Sequence, residues 1–185
     1  PYGFEQVEVL LGPASTLYGS GSAGGVMHMR PLRRDDSSWV RALGIARSAD
    51  GSATLAFDGG GGDDEVGFIQ VGATLSSHGD LRGGAGTVQP LSGHERRSFR
   101  FGARTPVGKN YTFGVTGYHS RLDDAGRTDK LGKGEVREYG NQDLFTFADV
   151  VGYHSGNVDK VRLALLYHRT EETVDRWNCA RDDNG

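Results

Sequence analysis

The side chains best suited to chemistry lie scattered along this chain. Histidines stand at positions 28, 78, 94, 119, 154 and 168. None belongs to an H-E-x-x-H motif or to a close group of acidic partners, the spacing that gathers several ligands around one metal ion. The acidic runs Asp63-Asp64-Glu65 and Asp123-Asp124 lack the ordered, alternating ligands of a calcium loop and read as solvated turns. Gly19-x-Gly21-x-x-Gly24 spells a dinucleotide fingerprint, but Pro31 leaves no room for the helix that would receive a pyrophosphate. It reads instead as a compact turn of small residues. Cys179 is the single cysteine, so no internal disulfide is available, and no C-x-x-C motif offers zinc or redox chemistry. In an oxidising compartment its chemistry would be pairing with a cysteine beyond residue 185. These residues predict no enzyme, no cofactor and no metal centre.

Composition narrows the classes further. The chain has 185 residues, 30 of them glycine and only 5 proline, and no G-X-Y period, which excludes collagen and polyproline spacers. Eight Phe and seven Tyr within a 36% hydrophobic content argue against disorder. A net charge of -3 removes the bulk electrostatic case for nucleic acid. No run approaches the ~18 apolar residues of a transmembrane helix.

The elements that must position any site are strands. Seven stretches alternate at period two: about 39–48, 52–58, 65–78, 95–105, 111–118, 143–153 and 158–170. Ala53, Leu55 and Phe57 share one face of the second, and Ile69, Val71, Ala73 and Leu75 one face of the third. In the fourth, Phe99, Phe101 and Ala103 oppose Ser98, Arg100, Gly102 and Arg104. Phe145 and Phe147 are set against Thr146 and Ala148 in the sixth. Connections are short at 49–51, 59–64, 106–109 and 154–157, and long at 79–94 and 122–142. Short turns alternating with long loops suit strands that cross a membrane, and so do strands of about 9–11 residues. Alternation by itself fits a soluble sandwich equally, with the apolar face packed inward.

The first thirty residues are of a different kind. Glu5-Gln6-Val7-Glu8-Val9-Leu10-Leu11-Gly12-Pro13-Ala14-Ser15-Thr16-Leu17-Tyr18-Gly19-Ser20-Gly21-Ser22-Ala23-Gly24-Gly25-Val26 resembles the end of the plug domain of TonB-dependent outer-membrane receptors. The residues that carry the likeness are Glu8, Gly12, Pro13, Leu17, Tyr18, Gly19, Gly24 and Gly25. Family members usually carry Arg before the Gly-Pro step, where this chain has Leu11.

The resemblance implies an all-β fold: a fragment of a large transmembrane antiparallel β-barrel, preceded by the C-terminal end of a plug. Residues 1–30 would be plug, 31–38 a linker, and 39–185 the first seven or so of 22 barrel strands. It implies energy-coupled uptake of a scarce ligand, most simply a ferric siderophore, at the outer membrane of a Gram-negative bacterium. The implied partners are outer-membrane lipid, a TonB-type energy-transducing complex engaging a box upstream, and a metal chelate or other small ligand. Arg82, His94, Arg96 and Arg97 are then the candidates to face an anionic ligand, since positive charge concentrates anions at a mouth. Two other classes stand beside this one: a non-energised channel or adhesin-type barrel, and a soluble secreted β-rich binding domain.

Overall fold

The computed structural model describes residues 4–12, 24–31, 38–128, 131, 134–155 and 158–178. It divides into two compact units, Pro1–Arg34 and Asp35–Gly185. Among the described residues there is no α-helix, hence no helix long and apolar enough to cross a membrane, a statement that leaves strands out of account.

In the first unit, β1 (Phe4–Leu11) and β2 (Gly25–Pro31) form an antiparallel ladder in which Leu11 faces Gly25 and Val7 faces Met29. Gly25 has φ +138°, and a Cβ there would lie 2.5 Å from the carbonyl oxygen of Leu10. Only glycine fits that position.

The second unit is one antiparallel sheet. Its strands are β3 (Trp39–Arg47), β4 (Ser52–Asp63), β5 (Gly67–His78), β8 (His94–Val107), β9 (Tyr111–Gly126), β10 (Glu135–Ser155) and β11 (Val158–Asn178). A two-stranded hairpin, β6 (Leu81–Arg82) and β7 (Val88–Gln89), occupies the connection between β5 and β8. All seven alternating stretches are therefore strands. The predicted long connection at 122–142 contracts to 127–134, because β9 and β10 continue pairing beyond the apolar residues that betray them in sequence. Polar residues hold a ladder through backbone hydrogen bonds without leaving a hydrophobic period.

Strand order is β11-β10-β9-β8-β5-β4-β3, and β3 does not pair with β11. The sheet is open, with an edge strand at each end. This corrects the expected barrel: a closed wall requires the first strand to hydrogen-bond the last, a long-range pairing that local alternation does not encode.

Cross-strand register assigns the two faces. Leu55 pairs with Leu75, Phe57 with Ala73 and Val71 with Phe101. Ala103 pairs with Val115, Val150 with both Phe113 and Leu163, and Ala148 with Leu165. Directly opposed residues share a side of the sheet, so these form one continuous apolar face. It is the exposed face: Leu55, Ile69, Phe99, Leu163 and Leu165 all lie open. On the other face Ser52, Thr54, Asp58, Thr74, Ser120 and Asp149 are buried. The sheet inverts the burial pattern of an ordinary antiparallel sheet, whose apolar side is the covered one. Phe145 and Phe147 depart from the simplest alternation reading. They pair with Tyr118 and Thr116 and so stand on the polar face, leaving Thr146 and Ala148 on the apolar one.

Candidate functional site

Three features with chemical potential emerge from this sheet: a buried ion-pair system on the polar face, an acidic groove at one end, and the apolar face with its border.

The ion pairs rest on two glycines. Asp58, Gly72 and Arg100 are successive cross-strand neighbours on β4, β5 and β8. With no side chain between them, the Asp58 carboxylate and the Arg100 guanidinium meet above the backbone of Gly72. Arg41, opposite Asp58 on β3, donates a second hydrogen bond at 2.6 Å. The motif recurs in mirror order on β8, β9 and β10, where Arg104, Gly114 and Asp149 are neighbours. Arg104 approaches Asp149 at 3.7 Å, and Arg162 of β11 donates to it at 2.8 Å. Arg162 also lies over the Phe147 ring at 5.1 Å from its centroid. Each buried carboxylate thus serves two guanidinium groups. Burial, followed by the nearby charge of Arg41, pushes the Arg100 guanidinium below its ordinary range. Sequence reading finds Arg100 and Arg104 but misses Asp58 and Asp149. The available signal was their parity, since each falls on the polar side of an alternating strand.

The groove lies where β9, β10 and β11 run past the apolar region. It has a volume of about 370 Å³, and its lining includes Asp123, Asp124, Glu138, Glu171 and Asp175, with Arg121 at its side. A register shift between Tyr139 and Asn141, opposite Asp124 at φ 58°, bends the ladder there. Such a lining favours cationic groups and repels anions. Tyr139 also lines it; hydrogen bonds from Arg127 and then Arg137 hold its phenol below the ordinary tyrosine range.

A charged border closes the apolar face. Arg97 pairs with Glu95 at 2.9 Å, Arg121 with Asp123 at 2.8 Å, and Arg169 with Glu171. Each pair joins residues two apart on one strand, hence on one face. Arg97 and Arg121 are cross-strand neighbours in the row next to Phe99 and His119.

Of the four ligand-facing candidates, His94 and Arg96 share one face of β8 beside His78. Arg82 is exposed on β6. His94 stacks on His78 at the start of β8. Arg96 and Arg97 are consecutive strand residues and point to opposite faces, Arg97 engaged by Glu95. Of the residues that carry the family likeness, Glu8 lies in β1 and Gly25 opens β2 opposite Leu11, while Gly12 and Gly24 flank the ladder. Pro13, Leu17, Tyr18 and Gly19 fall outside the described residues, as does Cys179. No group of three or more His, Cys, Asp or Glu able to hold a metal ion occurs among the described residues.

No protein-family model, no curated protein and no solved structure matches this chain. With the open sheet, that finding overturns the expected membership of the TonB-dependent receptors, and with it energy-coupled siderophore uptake. The likeness covers only residues 5–26, part of which lies outside the described residues. The open antiparallel sheet accords better with the expected alternative, a β-rich binding domain.

Proposed function

We propose that this chain is a non-enzymatic β-rich binding domain whose apolar sheet face is its contact surface for lipid hydrocarbon, with outer-membrane lipid as the natural location. One observation carries the reading: the sheet exposes its apolar side, while the carboxylates of Asp58 and Asp149 lie buried on the other. A contiguous exposed apolar surface running from β4 to β11 marks an interaction site. The row of ion pairs at its border supports lipid over a second protein, because it ends the apolar surface along one line, as a headgroup boundary would. An open sheet edge is not tolerated deep in hydrocarbon, so the face lies along the lipid rather than passing through it.

Flotation with phosphatidylcholine vesicles tests this. The protein should rise with the vesicles and stay bound in high salt, since the contact is apolar. Leu163 and Leu165 are 71% and 74% exposed, so Leu163→Asp with Leu165→Asp should leave the fold intact. Removing two exposed leucines from the proposed lipid contact should weaken binding at least about tenfold. A protein that stays unbound as a monodisperse monomer without detergent would overturn the proposal.

A further inference from the structure

The connection between β5 and β8 is anchored by a histidine pair. His78 and His94 close the β5–β8 ladder as its last register partners, and their rings stack with centroids 4.5 Å apart and planes at 25°. A guanidinium nitrogen of Arg47, on β3, lies 3.0 Å from His78 Nδ1. Arginine can only donate, so Nδ1 accepts and His78 is the neutral tautomer with its proton on Nε2. The glycines that follow His78 and precede His94 have no room for a side chain. A Cβ on Gly79 would lie 2.0 Å from the Asp50 carbonyl oxygen, and one on Gly93 2.8 Å from that of His78. Beyond them the loop is fastened internally. Asp80 accepts from the backbone N–H of Ser92 and of Gly93, both at 2.9 Å, and the Leu81 N–H donates to Ser92 Oγ at 2.8 Å.

We propose that the His78–His94 stack is a proton-operated latch at the base of the 79–93 loop. A proton on His78 Nδ1 removes the acceptor that Arg47 uses and places two cations at hydrogen-bond distance. The groups around it reinforce the effect: Arg47 from β3, and His94 and Arg96 from β8, all oppose a positive His78. Asp50, in the β3–β4 turn, is the one that favours it, and it is already paired with Arg47 at 3.7 Å. Burial, the largest cause, acts in the same direction as the cations, holding His78 below its ordinary value of 6.5. The opened loop therefore binds the proton more tightly than the closed one. Acidification through about pH 6.5 drives opening, and neutral pH restores the latch. The inference does not depend on the lipid contact.

Amide hydrogen exchange on the full chain tests the latch, with rates corrected for the intrinsic effect of pH. Protection of Leu81, Ser92 and Gly93 should fall about tenfold for each pH unit separating the open and closed values, while the β9–β10 ladder keeps its protection. His78→Gln retains an oxygen acceptor for Arg47 at every pH, so its loop protection should be independent of pH. Unchanged protection in the parent protein would overturn the proposal. So would an equal acid-driven loss in His78→Gln, which would point to Asp80 instead. Should His78→Gln fail to fold, the imidazole NMR titration of the parent protein decides. His78 titrating at or above 6.5, or without any change in the loop amides, refutes the latch.

Discussion

Arg100 meets Asp58 across a residue that has no side chain, Gly72. The ion pair bridges three strands and fixes β4, β5 and β8 in one register. Hydrogen bonds alone could slip by two residues and still pair, but a slip here would place a buried carboxylate against the wrong neighbour. Gly114 repeats the device for Arg104 and Asp149 on the adjoining strands. The two notches share β8 and so organise the sheet around that strand.

Filling the notch should therefore be costly. A Cβ at Gly72 would sit 2.4 Å from Asp58 Oδ1 and 2.8 Å from Arg100 Cζ. Gly72→Val should destabilise the sheet by about 3 kcal/mol through overpacking and the displaced ion pair. At Gly44 an added Cβ meets only a Leu55 methyl, at 3.7 Å, so Gly44→Ala should be neutral or slightly stabilising. Urea unfolding of both variants measures the contrast, and equal midpoints would refute the role given to Gly72.

Buried and exposed ion pairs should differ sharply. Asp58 is 2% exposed, and removing it leaves Arg41 and Arg100 facing each other without the carboxylate between them. Asp58→Ala should cost about 3–5 kcal/mol. Glu95→Ala breaks the Arg97 pair at the surface, where water screens both charges, and should leave the midpoint unchanged. A mild effect for Asp58→Ala would show that water reaches the polar face.

Tyr139 offers a spectroscopic handle. Hydrogen bonds from Arg127 and Arg137 favour its phenolate, so it should ionise below the ordinary value of 10.0. In a titration followed at the phenolate absorbance, this tyrosine should contribute an early step. Arg127→Ala and Arg137→Ala should each move that step upward. The folded-state value is lowered, so the linked stability is present at alkaline pH and disappears as pH falls through the folded value.

The β1–β2 ladder separates two adjacent glycines. Gly25, with its positive φ and its approach to the Leu10 carbonyl, should not accept a side chain. At Gly24 an added Cβ meets nothing within 4 Å among the described residues. Gly25→Val should abolish amide protection in β1 and β2, while Gly24→Ala should keep it. Loss of protection in both would refute the distinction between the two positions.

The sequence by itself determined the strands, and for a local reason. A side chain alternates sides at every residue, so Ile69, Val71, Ala73 and Leu75 announce one face of β5 without reference to any neighbour. It also marked Arg100 and Arg104 as lying opposite the phenylalanines. Where β9 and β10 run on into polar residues, the period vanishes although the ladder persists, and their true ends were hidden. Tertiary structure alone decided the rest, because register is a relation between strands distant in the chain. It brought Asp58 to Arg100 across Gly72, put Phe145 and Phe147 on the polar face, and stacked His78 on His94. It also left β3 and β11 as open edges. The alternation is the same whether a sheet closes on itself or stops, and only the pairing of its first and last strands tells the two apart.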